Sequence, residues 1–321
     1  MPTARYIASR LGQALLVIWL AYTVVFVAVQ LLPSDPVTIF LSTDGTPSAA
    51  TLEAMRHQYG YDLPLWQQYT NNLLGLLRGD VGYSLASGQP VGTRIGSVVG
   101  STLQLAGGAF ALAVLFALAL TIAAVLAPTS WLGRRLRALP PFLASVPVFW
   151  LGLVALQLLA VRWGVMSLFP DGSFLATVVP MAVLALHVSA PLAQVLLKSL
   201  DGVYAQPFIE ALRARGVGEA RILFAHALKN AAPPALTVAG VTIGTLLAGS
   251  IITETVFSRA GLGALVLQSV TAQDVPLVQG LVLLTALVFV VVNLLVDLLH
   301  AALDPRVLRS TRTQSASALA A

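Results

Sequence analysis

LQLAGGAFALAVLFALALTIAAVLA, residues 103–127, runs for 25 residues without a charge. About 20 apolar residues suffice for an α-helix to cross a hydrocarbon core of ~30 Å. In that core every backbone polar group must be satisfied within the protein, which an α-helix does by itself. The stretch therefore reads as a membrane-spanning helix. Five further runs share its character, at 11–32, 138–161, 177–197, 231–253 and 275–296, and His187 is the only acidic or basic residue in any of them. Each is long enough to span with modest tilt. The expected fold class is an all-α polytopic membrane protein with six transmembrane helices.

Composition agrees. Of the 321 residues, 57% are hydrophobic and 10% charged. Soluble domains carry about 25% charged residues, so this chain has too few to cover a water-facing surface. The same numbers exclude an intrinsically disordered chain. With no cysteine, disulfides, zinc–thiolate sites and a lipidated N-terminal cysteine are excluded. The first apolar run is too long for a signal-peptide core and is followed by LLPSDP rather than a small-residue cleavage site. It is expected to remain as an anchor.

The net charge of +5 would suit nucleic acid, but its distribution points to a membrane. With the N-terminus placed in the cytoplasm, 13 of the 18 Lys and Arg residues fall on the inner side and 5 on the outer. Positive loops stay inside, so both termini are expected to be cytoplasmic and no nucleic-acid partner is implied. Gly240, Gly244 and Gly249 would let another helix approach, and Pro140, Pro141, Pro147, Pro180 and Pro191 would break or kink their helices. Plain bundle packing explains the same residues.

Four segments result: residues 1–32 with the first span, an outer loop at 33–99, a core at 100–303, and a tail at 304–321 whose Ser/Thr/Ala-rich end reads as disordered. In the outer loop Thr46 suits an N-cap with Pro47 at the first helical position, and Gly60 suits the stop. A second helix starts at Pro64, aligns Leu65, Tyr69, Leu73 and Leu76, and ends before Gly79. These helices could dock an extracytoplasmic partner or form a structural lid.

Residues 198–230 form a cytoplasmic loop within the core. Pro207 suits the start of a short helix, FIEALRAR continues it, and Gly216 stops it; after Val217-Gly218 a second helix, EARILFAHALKN, leads to the fifth span. Phe208, Ile209 and Leu212 give the first helix an apolar side, and Arg213 and Arg215 give it charge. Such a helix fits a groove in another protein. It would equally lie on anionic lipid.

At this point a family resemblance enters. FIEALRARGVGEARILFAHALKNAAPPALT (208–237) resembles the EAA loop of bacterial ABC importer permeases. Glu210, Ala211 and Gly216 match; Leu212 stands where a second Ala is usual, and the downstream element reads Asn-Ala-Ala-Pro, as in the peptide-importer branch. YIASRLGQALLVIWLAYTVVFVAVQLLPSDP (6–36), YGYDLPLWQQYTNNLLGLLRGDVGYS (59–84), SVPVFWLGL (145–153), LLAGSIITETVFSRAGLG (246–263), QDVPLVQG (273–280) and NLLVDLLHAALDPR (293–306) are similar to B-type subunits of oligopeptide and dipeptide permeases. Arg259-Ala260-Gly261 departs from the family's usual PGLG.

The resemblance implies a type I ABC importer permease with an outer loop subdomain, in the bacterial inner membrane. Its partners would be a C-type permease, two cytoplasmic ATPases, an extracytoplasmic peptide-binding protein and membrane lipid. ATP and Mg2+ would sit on the ATPases; this chain would hold no cofactor or metal and would not be an enzyme. No G-x-x-x-x-G-K-[ST] occurs in it. Coupling to the ATPases would fall to Phe208, Glu210, Ala211, Arg213, Arg215 and Gly216.

For the translocation pathway the candidates are polar groups in or beside spans: Ser145, His187, Ser189, Thr253 and Glu254. Glu254 also suits an interfacial carboxylate pairing with Arg259 or headgroups, His187 a packed histidine, and Asp297 a cap near the inner surface. An intramembrane enzyme is disfavoured: H-E-x-x-H and G-x-S-x-G are absent, and His187 and Ser189, two apart on a helix, do not face each other. A stand-alone secondary transporter would usually show intramembrane charge pairs or inverted halves. Dipeptides, oligopeptides, glutathione and nickel chelates all remain as substrates.

Overall fold

The computed structural model describes residues 4–31, 35–42, 48–127 and 130–303. Its helices, in chain order, are α1 (Ala4–Gln30), α2 (Pro36–Ser42), α3 (Ala49–Tyr59), α4 (Leu65–Leu77), α5 (Val91–Leu126), α6 (Trp131–Ser145), α7 (Val148–Leu156), α8 (Phe174–Tyr204), α9 (Pro207–Ala214), α10 (Glu219–Arg221), α11 (Leu228–Val256), α12 (Leu262–Thr271) and α13 (Val275–Leu303). Gln157–Arg162 extends α7 as a π-helix, and Ile222–Ala227 joins α10 to α11 in the same form. Among the described residues the only β-type pairing is an isolated antiparallel bridge between Tyr83 and Pro90.

Four of the expected spans, in α1, α5, α8 and α13, are unbroken apolar helices. The third is not the single helix expected over 138–161. It starts within α6 and turns by 99° into α7. The cause is local: Pro147 disfavours helical geometry at the residue before it, and Val146 is extended at φ −90°, ψ 122°. Pro140 and Pro141 are carried inside α6, and Pro180 and Pro191 inside α8, without ending either helix.

The chain forms two compact units. In the first, built on residues 104–258, α8 runs through the core. Leu105, Ala109, Ala113, Ala117, Leu120 and Ala124 of α5 are buried there, as are Leu184, Val188 and Leu192 of α8. Between apolar helices in lipid the hydrophobic effect contributes little, so close packing of small residues holds them together. A Cβ on Gly249 would lie 2.9 Å from Leu184, and one on Gly108 would lie 2.5 Å from the Met181 sulfur.

The second unit holds residues 9–103 and 259–291. Val91 and Ile95 of α5 pack there on Leu265 of α12 and on Leu277 and Leu281 of α13. A Cβ on Gly280 would collide with the Val91 side chain. The N-cap of α3 is Ser48, whose hydroxyl accepts from the Thr51 N–H at 3.1 Å. The Thr46-Pro47 start and the tail fall outside the described residues, as does the Asp297 side chain. Gly60 (φ +72°) and Gly79 (φ +81°) stand just beyond α3 and α4 in the left-handed region. Helix α12 was not expected; Thr102 receives the Leu262 N–H at its start, at 2.8 Å.

Candidate functional site

The loop at 198–230 folds as a helical elbow. Pro207 occupies the first position of α9, where its missing N–H costs nothing. After Ala214 the chain reverses at Gly216 (φ +78°). The Gly216 N–H donates to the Arg213 carbonyl at 2.9 Å and the Val217 N–H to the Leu212 carbonyl at 3.1 Å, which satisfies the helix end.

The elbow's apolar side does not face outward. Ile209 is fully buried among Leu196, Leu200, Val203, Ile222 and Leu223, and Phe208 and Leu212 pack against the same cluster. Glu210, Ala211, Arg213, Arg215 and Gly216 are exposed. Of the six coupling candidates, Phe208 thus serves the internal seat, and five lie on the outer rim.

Glu219 was not singled out from the sequence, yet it braces the elbow. The Arg213 Nε donates to its carboxylate at 2.6 Å, and the Arg213 guanidinium lies 5.7 Å from the Tyr204 ring centroid. The hydrogen bond from Arg213 holds the Glu219 carboxyl below its usual range. A second brace joins α6 to α8, where Arg137 donates to both carboxylate oxygens of Asp201 at 2.8 and 3.0 Å.

The polar candidates inside the spans are not gathered into one site. Ser189 and Glu254 are fully buried and Thr253 nearly so, all sealed within the chain's own packing. The Ser189 hydroxyl donates to the Leu186 carbonyl at 2.8 Å, and the Thr253 hydroxyl to the Gly249 carbonyl at 3.0 Å. Ser145 is exposed at the α6–α7 bend and donates to the Pro141 carbonyl at 2.9 Å. His187 is half-buried, and its Nδ1 has no partner among the described residues.

In the second unit a buried carboxylate ties two of the quoted stretches together. Asp274, from QDVP, accepts the Ser84 hydroxyl at 2.5 Å and the Leu85 and Ala86 N–H groups at 3.1 and 3.3 Å. It also accepts the Leu277 N–H at 3.3 Å, capping α13. The signal available in the sequence was an Asp directly before a helix start, an N-cap preference; that it would reach 190 residues back was not legible. Gln68 acts similarly on a smaller scale, donating to the Tyr61 and Leu63 carbonyls and fixing the turn between α3 and α4.

Comparison with known proteins agrees with this architecture. A family described as "Binding-protein-dependent transport system inner membrane component" matches residues 116–309, and its N-terminal companion matches 3–97. The chain is 32% identical over 302 residues to the glutathione transport system permease protein GsiC of Escherichia coli strain K12, covering 94% of this chain and 98% of that one. The GsiC of Pectobacterium atrosepticum is 33% identical over the same shares. Among solved structures, the inward-facing MetNI methionine ABC transporter superposes with a TM-score of 0.56 at 18% identity, over 66% of this chain and 96% of that one, a likeness of fold. With the family matched over most of its length and a permease architecture beneath it, the chain belongs to the inner-membrane permeases of binding-protein-dependent ABC importers, in the peptide-importer family.

Proposed function

We propose that this permease forms half of a peptide-conducting passage, driven by cytoplasmic ATPases through the α9 elbow. A peptide cannot cross hydrocarbon with unsatisfied amides, so the passage is a water-accessible space between this chain and a second, C-type permease. An extracytoplasmic binding protein delivers the substrate. Two ATPase subunits hold ATP and Mg2+, and this chain performs no catalysis. Both termini and the elbow face the cytoplasm of a bacterium, in line with the bias of Lys and Arg.

The observation that carries this reading is the division of labour on α9. Ile209 and its neighbours anchor the helix in the chain's own core, while Glu210, Ala211 and Arg215 face outward. A force applied to the rim is passed to α8 and α11 without a flexible joint. The chain's lack of cysteine makes the test clean. A single Ala211→Cys variant in right-side-out vesicles should react with a membrane-permeant maleimide and resist an impermeant one. Bound ATPase subunits should protect it. Labelling by the impermeant reagent, or no protection, overturns the reading.

For the substrate, the similar GsiC proteins favour glutathione, a tripeptide, among the peptide class; nickel chelates are the alternative. Copurification with the native partners and identification of the ligand on the binding protein decides between them.

A further inference from the structure

The second unit contains a half-open cavity of about 360 Å³ that the transport reading does not use. Tyr22, Phe26, Tyr59, Tyr61 and Tyr83 line it, and among the described residues Asp80 is its only acid. Among the described residues no Lys or Arg lines it, and the remaining titratable group is His57. Two of these rings, Tyr22 and Phe26, lie close together. The Tyr22 and Phe26 ring centroids lie 6.3 Å apart, and the Tyr22 hydroxyl donates to the Tyr69 carbonyl at 2.7 Å. Asp80 is exposed at the cavity, and its Oδ1 accepts the Gly82 N–H at 2.9 Å. Asn71 and Asn72, both exposed, also line the cavity.

We infer that this cavity binds a primary ammonium group carried on an apolar stem. Ring quadrupoles attract a cation, and a wall of aromatics with one carboxylate and no competing cation is the arrangement that ammonium recognition uses. Asparagine side-chain oxygens complete the acceptors that three N–H donors need. Burial, and then the Asp35 and Asp274 carboxylates, push the Tyr61 hydroxyl well above its ordinary pKa. An anion entering the cavity would meet the Asp80 carboxylate and, among the described residues, no Lys or Arg on its walls. The volume falls in the range of small-molecule sites, ~300–1,000 Å³. The ammonium can come from a phosphatidylethanolamine headgroup or from a free amine such as a peptide N-terminus.

The test uses the whole chain in nanodiscs of phosphatidylglycerol, with hexylamine, hexanol and hexanoate as probes in saturation-transfer NMR. Hexylamine should bind about tenfold or more tighter than hexanol, as expected of charge and cation–π recognition together, and hexanoate should not bind. Asp80→Asn keeps an oxygen for the Gly82 N–H, so it tests the charge without removing the turn. It should weaken hexylamine at least about fivefold and leave hexanol unchanged. Tyr83→Leu, at a half-exposed position, should do the same. Equal binding of hexylamine and hexanol, or no loss in both variants with unchanged chromatographic profiles, overturns the inference. In phosphatidylethanolamine discs, competition against hexylamine identifies the lipid headgroup as the occupant; undiminished binding identifies a free amine.

Discussion

At the scale of the residue, Gly216 separates conformation from contact. A Cβ there would meet nothing within 4 Å, so only φ +78° constrains the position. Gly216→Ala should cost about 1–2 kcal/mol, the penalty of the left-handed region, and keep transport. Gly216→Pro locks φ near about −65° and deletes the N–H that caps α9. It should abolish uptake at normal membrane levels; a proline variant that transports like the wild type removes the elbow from the mechanism. Asp274 is the complementary case, where contact is everything. Asp274→Ala leaves the Leu85, Ala86 and Leu277 N–H groups without their acceptor and should destabilise the protein by about 2–4 kcal/mol, read by denaturation in detergent. Asp35 adds a pH effect. Burial alone would raise its carboxyl, but hydrogen bonds from Arg56 and Thr38 outweigh that and hold it below its ordinary value. Its contribution is therefore complete above the unfolded value of about 3.9 and is lost as pH falls through the lower folded value. Protease resistance of the outer segment should fall in that acid window in the wild type and lose this dependence in Asp35→Asn.

At the scale of the element, the α6–α7 bend can be measured directly. A straight helix from Arg134 to Val161 would separate those positions by about 40 Å, whereas arms turned by 99° bring them to about 25 Å. Spin labels at the two sites, both exposed, distinguish the geometries by dipolar distance; the long distance would refute the bend. This element also shows what a sequence tells and what it hides. Apolar length is summed over a window, so the third run was visible as a span although its axis breaks. Pro140, Pro141 and Pro147 look equivalent in the sequence, yet only the last coincides with an extended preceding residue. Alpha9 was legible because its signals are local: Pro207 at the start, Gly216 at the stop, apolar residues on one side. Its orientation was not, because whether Ile209 faces a partner or its own core depends on Leu196, Leu200 and Ile222, which only the fold brings near. Likewise Asp274 and Ser84 carry no mark of their meeting, and the in-span polar residues gave no sign that Ser189 and Glu254 would be sealed in packing.

At the scale of the whole molecule, the question is how work enters. The chain belongs to a family of ABC permease subunits, which lack the ATPase site, so in the proposed importer the work comes from the ATPase subunits. Inverting a two-state equilibrium takes roughly 5.5 kcal/mol of differential binding, and a ligand shifts states only by that difference. In the proposed importer it arises where ATP closes the ATPase dimer and must pass through α9. Two internal ties could carry the load. The Arg213–Glu219 pair is about half exposed on both sides, and such pairs are worth about 0–1 kcal/mol. The Ile209 seat is fully buried, and truncating a buried isoleucine to alanine costs about 2–5 kcal/mol. The seat must therefore be the stiff link. In proteoliposomes holding the complete importer, Arg213→Ala should leave the ratio of substrate moved to ATP hydrolysed nearly unchanged. Ile209→Ala should preserve hydrolysis while that ratio falls several-fold, because the helix then yields in its socket instead of moving α8 and α11. If the order is reversed, the rim charge rather than the buried seat carries the stroke.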